Sequence, residues 1–229
     1  MKEGAFLFYI KSLHKKNGFT LIEVLLSLTL LTIVAIPMLS YFYQAYNYTN
    51  DSQNKTIAVN IARNIMNYME NQNFRAMKSF LEIENENISG TFSYAKLDES
   101  DCEKKIDISL NDSVDPKICD DSSSKNCTDL FYKGEFSGES LCTTVLNPTI
   151  NNDRYDESNI SIYLTDYHSE KNIAEELKHT TPESVFNGIT PSTEDNLKEK
   201  LMKVYVILNW RENRDKIVLE GMIIDEALR

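Results

Sequence analysis

The chain has 229 residues and a formal net charge of −11, which allows one membrane segment and one domain of ordinary size. Residues 1–18 carry four lysines and one glutamate, a net charge of +3, so residues 19–229 carry −14 (−11 minus +3). An acidic body without a stripe of Lys and Arg repels phosphate, which argues against direct nucleic-acid binding.

Residues 15–24 read Lys-Lys-Asn-Gly-Phe-Thr-Leu-Ile-Glu-Val, and no charged residue follows until Asp51. The apolar run from Phe19 to Ser40 spans about 33 Å as a helix, which is enough to cross a bilayer. Lysines precede this run, so we expect residues 1–18 in the cytoplasm and the rest outside. Placing Glu23 near the top of such a segment costs about 3 kcal/mol on insertion scales, which predicts a task or a partner for its carboxylate.

Residues 19 to about 82 are predicted to form one long helix. Its first half is apolar all round, and four tyrosines at its outer end suit the headgroup level: Tyr41, Tyr43, Tyr46 and Tyr48. Pro37 removes one backbone hydrogen bond and leaves the carbonyl of Ile33 without it, although the hydroxyls of Thr29 and Thr32 can partly compensate. We therefore expect a kink or a local melt there and not a full break. The second half is amphipathic, with an apolar stripe of Ile57, Ile61, Ile65 and Met69, flanked by Ala58, Ala62, Met66, Met77 and Leu81.

After about Asn85 the pattern changes to short alternating runs. Five runs are candidate strands: Thr91–Ala95, Ile106–Leu110, Phe131–Phe136, Leu141–Leu146 and Ile160–Tyr167. Ile173–His179 is predicted as a short helix and Pro182–Pro191 as a turn-rich link. Met202–Trp210 and Ile217–Ile224, separated by a polar turn, predict a β-hairpin. The expected fold class is α+β, with the helix stripe covering one face of an antiparallel sheet in a roll.

Four cysteines lie in the segment predicted to be outside: Cys102, Cys119, Cys127 and Cys142. An even count in an oxidising compartment predicts two disulfides, with three connectivities open, while free buried thiols are the alternative. The acidic stretch Asp112–Asp129 is expected to be a surface loop stapled by its cysteines. Its aspartates are weak calcium candidates because they lack the spacing of a calcium loop: Asp112, Asp115, Asp120, Asp121 and Asp129. No other metal and no cofactor is expected.

The N-terminal segment resembles type IV pilins and the pseudopilins of type II secretion and competence systems. The resemblance rests on residues 15–26, where Gly18 is followed by Phe-Thr-Leu-Ile-Glu and a charge-free run. It implies that a prepilin peptidase cuts after Gly18, that the new Phe19 amine is methylated, and that the subunit moves from the membrane into a filament with other pilin subunits. The leader is longer than in many family members, and Pro37 falls slightly earlier.

Glu23 has two interpretations under this resemblance. In a filament, the Phe19 ammonium of one subunit can neutralise the buried Glu23 carboxylate of a neighbour and so fix the axial register, because an unpaired buried charge costs several kcal/mol. Locally, Thr20 and Glu23 also have the spacing of a capping box, which satisfies amides at a helix start. Both roles are open at this stage.

The resemblance implies four segments: a cleaved cytoplasmic leader (1–18), a transmembrane and filament-core half-helix (19–50), an amphipathic half-helix (51–84) and an extracytoplasmic sheet domain with a cysteine-flanked loop 102–142 (85–229). The hairpin looks like the closing strands of minor pilins and minor pseudopilins.

Three functions follow as hypotheses. The first is a minor pilin that initiates or decorates a type IV pilus, the second a pseudopilin of a secretion or DNA-uptake machine, and the third a membrane-anchored adhesin or calcium-binding module. The three histidines are scattered and no phosphate-binding glycine loop is present, so no enzyme is expected.

Overall fold

The structure is a computed structural model. It describes residues 18–86, 92–107, 117–119, 127–131, 135–136, 139–150, 153–155, 159–169, 173–189, 199–210 and 215–226. The chain forms two compact units that divide between Asp51 and Ser52. Helix α1, Leu21–Glu70, contributes to both units.

The second part of α1 provides the core of the larger unit. Its predicted stripe is confirmed: the buried side chains between residues 52 and 70 are Ala58, Ile61, Ala62, Ile65, Met66 and Met69, and Ile57 is half-buried against them. These residues recur every three or four positions, so they form one face of the helix. That face packs on the sheet with Leu164, Val204 and Val206.

The predicted single helix to residue 82 is wrong in one respect, because it is interrupted at residues 71–73. The side-chain amides of Asn71 and Gln72 donate to the carbonyls of Asn67 and Tyr68, which ends α1. A second helix, α2, runs over Phe74–Glu86, and the side chain of Asn73 caps it by accepting from the amide of Ala76 at 3.0 Å. Short amide side chains that compete for backbone groups favour such ends over helix interiors. Met77 and Leu81 of α2 are buried in the same core.

The main sheet has four antiparallel strands in the order β1, β9, β10, β11. Strand β9, Ile160–Asp166, and the hairpin of β10, Leu201–Trp210, and β11, Asp215–Ile224, confirm the predicted strands. Strand β1 is Tyr94–Leu97, shifted from the predicted Thr91–Ala95, since Ala95 and Leu97 are the buried residues of that run. Together with the helices, this sheet confirms the α+β class.

Gly221 in β11 lies directly against α1. A Cβ at this position would collide with the side chains of Met66 and Glu70. A larger residue here would displace these flexible side chains, so helix packing, and not a turn, favours glycine at this position.

Two short helices cover the opposite face of the sheet: α4, Ile173–His179, and α5, Pro182–Phe186. The first was predicted, whereas the second lies in the predicted turn-rich link, so that prediction was wrong for residues 182–186. Pro182 is at the start of α5, where its missing amide costs nothing. The two helices bury a second apolar cluster that includes Ile173, Leu177, Phe186, Tyr205 and Ile207.

The region between β1 and β9 contains small elements joined by two disulfides. Three short strands pair as one small sheet: β2, Lys105–Asp107; β3, Lys117–Ile118; and β4, Cys127–Asp129. Two pairs of antiparallel strands follow, and each strand has two residues. Strand β5, Glu135–Phe136, pairs with β6, Glu139–Ser140, and strand β7, Thr149–Ile150, pairs with β8, Asp153–Arg154. Of the predicted strand Ile106–Leu110, residues 108–110 lie outside the described residues. The predicted strand Phe131–Phe136 is wrong at Phe131, which follows β4 as a buried bend residue.

The predicted strand Leu141–Leu146 is a helix, α3. Cys142 and Leu146, four positions apart, are its buried residues, and that spacing places both on one helical face. The Thr144 hydroxyl donates to the Ser140 carbonyl at 3.0 Å. The β-branched composition of the segment is therefore overridden by burial and by the disulfide that Cys142 forms.

The disulfides pair Cys102 with Cys142 and Cys119 with Cys127, with Cα–Cα distances of 5.7 and 6.4 Å. This pairing selects one of the three open connectivities and excludes free thiols. The first bridge connects α3 to the turn at Glu99–Glu103, and the second connects the outer strands of the small sheet, as expected for a stapled loop.

His168 is a buried titratable group of the second cluster. Its Nε2 lies 3.0 Å from the hydroxyl of Tyr205, its ring stacks on that of Tyr205, and the edge of Phe92 packs against it. Burial, with a smaller contribution from the nearby Lys203 charge, lowers the pKa of His168 from 6.5 to about 4. The folded protein therefore favours the neutral imidazole.

The lowered pKa of His168 predicts that the free energy of unfolding depends on pH. The imidazole of the unfolded chain takes up a proton near pH 6.5, whereas the folded chain takes it up only near pH 4. The stabilising effect is thus complete above about pH 6.5 and is lost as the pH falls from 6.5 to 4, by up to about 3 kcal/mol. Denaturant unfolding of the full chain in detergent across this range measures it. In this pH range, His168→Gln should weaken the pH dependence of the unfolding free energy, and the control variant of an exposed histidine, His179→Gln, should not. If the unfolding free energies of both variants change equally with pH, His168 is not the group responsible.

Candidate assembly site at the N-terminus

The predicted processing site lies immediately before helix α1. Gly18 and Phe19 are exposed and precede the first helical residue, Leu21. A Cβ built on Gly18 has no atom of the described residues within 4 Å, so the described part of the fold places no steric limit on the position. A preference for glycine here would have to come from a partner that approaches the backbone closely.

The Thr20 half of the predicted capping box is present. The Thr20 hydroxyl accepts from the Glu23 amide at 3.4 Å, and the Thr20 carbonyl accepts from the amides of Glu23 and Val24 at 3.0 and 3.2 Å. These contacts satisfy amides that a helix start otherwise leaves without partners. Local capping is therefore a role of this motif, and it leaves the charge of the Glu23 carboxylate to be accounted for.

Glu23 is exposed at the start of a long apolar surface. The large apolar side chains of α1 from Leu21 to Phe42 are about half or more exposed, for example Leu31 at 67% and Ile36 at 68%. Among the described residues, α1 is the one helix long and apolar enough to cross a membrane, and its apolar window is not buried. A core helix of a soluble protein would be mostly buried, so this surface requires a lipid or protein environment.

The backbone of the apolar segment contains Pro37 within a continuous helix. The hydroxyls of Thr29 and Thr32 donate to the carbonyls of Leu26 and Thr29, three residues earlier, at 2.9 and 2.8 Å. The predicted compensation of the Ile33 carbonyl by these hydroxyls is therefore wrong, because a hydroxyl on a helix reaches back towards the N-terminus. Ser27 bonds the Val24 carbonyl in the same way, and each hydroxyl is satisfied within the helix, as an apolar environment demands.

The weak calcium candidates do not form a site among the described residues. Asp112, Asp115, Asp120 and Asp121 lie outside them, and Asp129 is a half-buried residue of β4. Within the part of the chain that the structure describes, no group of three or more His, Cys, Asp or Glu side chains is arranged to hold a metal ion. One depression among the described residues opens to solvent and is lined by polar and apolar side chains that include Glu175, His179 and Ile189.

Comparison with known proteins identifies the N-terminal segment. Residues 13–39 match the family model of the prokaryotic N-terminal methylation motif, so the chain carries the signature of type IV pilins and pseudopilins. No curated protein and no solved structure matches the chain. The motif implies a structural subunit that is processed by prepilin peptidase and assembles with other pilin subunits. With the exposed apolar helix, it fits a protein anchored in the inner membrane and later assembled into a filament.

Processing can be tested at Gly18. Gly18→Val should leave the fold intact, because a Cβ meets none of the described residues. It should block cleavage, because a branched side chain keeps the peptidase from the backbone. In cells that hold the prepilin peptidase, the variant should migrate on a gel at precursor size, while the control Asn17→Ala migrates at mature size. A Gly18→Val product of mature size would refute the assignment.

Proposed function

We propose that this chain is a minor pilin, a low-abundance structural subunit that helps to initiate or decorate a type IV pilus. Residues 1–18 are the leader, residues 19–50 the membrane and filament-core segment, residues 51–84 the amphipathic half-helix, and residues 85–229 the extracytoplasmic domain. The observation that carries the proposal is the methylation motif at the start of an exposed apolar segment, residues 19–50, whose single charge is Glu23.

Cleavage after Gly18 creates a partner for that charge. It exposes the amine of Phe19, which is cationic at neutral pH. When the apolar segments of several subunits pack together, the Phe19 ammonium of one subunit pairs with the Glu23 carboxylate of another. Leaving either charge unpaired in the apolar interior costs several kcal/mol, so the pairing selects one axial offset between neighbours.

The larger unit supports an extracytoplasmic role. Its two disulfides are typical of proteins that fold in an oxidising compartment. Helices on both sheet faces and the disulfide-linked insertion between β1 and β9 make this unit elaborate for a bulk filament subunit. These features favour a minor subunit over a major one, while the motif is common to pilins and pseudopilins.

Variants of the capping box separate charge pairing from helix capping. Glu23→Gln keeps the length and the capping capacity of the side chain but removes its charge, so it should allow membrane insertion and cleavage and strongly reduce incorporation into filaments. Thr20→Val removes the hydroxyl that accepts from the Glu23 amide, at a cost of about 1 kcal/mol to the helix start, and should incorporate nearly normally. The measurement is the fraction of mature subunit in sheared filaments. If Glu23→Gln incorporates like the wild type, charge pairing is refuted.

Immunogold labelling of intact cells distinguishes the pilus role from the pseudopilin role. A minor pilin should label surface fibres, and labelling should disappear from a strain that lacks the prepilin peptidase. Mature protein confined to the cell envelope, with unlabelled fibres, would contradict the minor-pilin proposal and favour a pseudopilin.

A further inference from the structure

Within the described part of the chain, the four-stranded sheet has a long open edge at β11. Strand β11 pairs with β10 through ten consecutive residue pairs, without a bulge or a proline, the devices that commonly block edge-to-edge pairing. The described residues make no backbone hydrogen bond to its outer side. At the opposite edge, β1 pairs with β9 alone among the described strands.

Backbone hydrogen bonds beyond the strand ends show which residues face outward. The Asp225 amide donates to the Lys200 carbonyl at 2.9 Å, and hydrogen-bonded and non-hydrogen-bonded pairs alternate along an antiparallel ladder. Counting back from residue 225, Glu220 and Met222 direct their amides and carbonyls away from β10.

The same alternation applies at the β1 edge. The Asp166 amide donates to the Ser93 carbonyl at 3.4 Å, so Tyr94 and Lys96 direct their backbone groups away from β9. The β1 edge thus presents two outward residues separated by one inward residue, and β11 presents such pairs along its length, among them Glu220 and Met222. This is the spacing that two antiparallel strands need to bond each other.

The two edges also match in direction and in face. Three successive antiparallel pairings make β1 and β11 run in opposite directions. Ala95 and Leu97 of β1 are buried on the face covered by α1 and α2, as are Gly221 and, partly, Leu219 of β11. A register with Lys96 opposite Glu220 therefore keeps the helix-covered faces of two copies on the same side.

The side chains in this register are complementary. Lys96 and Glu220 are both exposed and have opposite charges, and directly opposed charges stabilise a strand pair. Glu220 already accepts from Lys203 at 2.7 Å, but a carboxylate has two oxygens and can accept from two ammonium groups. Met222, which is 44% exposed, would face the ring of Tyr94, a favourable contact between sulfur and an aromatic ring.

The helices leave room for this arrangement. Helix α1 lies over β11 at Gly221, and α2 packs against β1. Four strands at about 4.8 Å spacing make each sheet about 19 Å wide, which is the width of two helices packed at 8–10 Å. The helices of adjacent copies would then lie side by side at ordinary packing distance.

We propose that the β11 edge binds the β1 edge of a second copy of this chain, head to tail, with Lys96 opposite Glu220 and Tyr94 opposite Met222. The inference rests on the proposed function in one respect: both copies must be held in one membrane or filament in the same orientation, which a head-to-tail pairing preserves. Such an interface is heterologous and does not close on itself, so it suits a helical assembly.

Cross-linking of the full chain in cell membranes tests the pairing. The double variant Lys96→Cys/Glu220→Cys, treated with a short bis-maleimide that leaves disulfides intact, should give a ladder of dimers, trimers and larger species. The single variants should give monomers. Absence of the ladder would overturn the inference, and so would dimers from Glu220→Cys alone, which would mean that β11 pairs with itself.

A proline variant tests the backbone hydrogen bonds. Met222→Pro, added to the double variant, removes an outward amide that no described backbone group uses and should abolish the ladder, whereas Met222→Ala should retain it. Equal protease resistance of the two variants controls for folding. A ladder that survives Met222→Pro would contradict the register.

Mass measurement of the N-terminus on the same samples separates the two proposals. Cleavage after Gly18 without a ladder overturns the strand pairing and leaves the pilin role intact. A ladder formed by chains that keep Met1 supports the strand pairing and overturns the pilin role.

Discussion

The organisation of this protein depends on one carboxylate in an apolar setting. Glu23 is the single charge between Lys16 and Asp51. It lies on a helix whose large apolar side chains are exposed over more than twenty residues. The backbone amide of Glu23 is hydrogen-bonded to Thr20, so only the charge of its side chain lacks a compensating group within this segment. In the proposed assembly, a chain that begins at Phe19 would supply the opposite charge from a neighbouring copy, and apolar packing without charge compensation would leave the axial offset between subunits undefined.

The same helix serves two environments by changing its pattern. Up to residue 50 it is uncharged beyond Glu23, and its hydroxyls bond to its own carbonyls, as a segment away from water requires. From Ile57 onward its apolar residues narrow to one stripe that forms the core with the sheet. A helix of this length needs such partners, because propensity alone does not order it.

Features with a regular period were predictable from sequence, as the stripe from Ile57 to Met69 and the hairpin of β10 and β11 show. Features decided by single side chains were not. Asn73 occupies the next position of the four-residue apolar period and caps a new helix there. The β-branched composition of Leu141–Leu146 is overridden by burial and by the Cys102–Cys142 bridge. The disulfide pairing and the match between the two sheet edges depend on contacts distant in sequence, which no local pattern encodes. At the N-terminal site the motif was evident, but the direction of the Thr29 and Thr32 hydroxyls was not.

The central claim is that a new N-terminus at Phe19 neutralises the buried acid of an adjoining subunit. Intact mass spectrometry of the protein isolated from its native cells tests it most directly. We expect a chain that starts at Phe19, carries a methyl group on its terminal nitrogen and lacks residues 1–18. A native product that retains Met1 would contradict the account, because the nitrogen that Glu23 requires would then not exist.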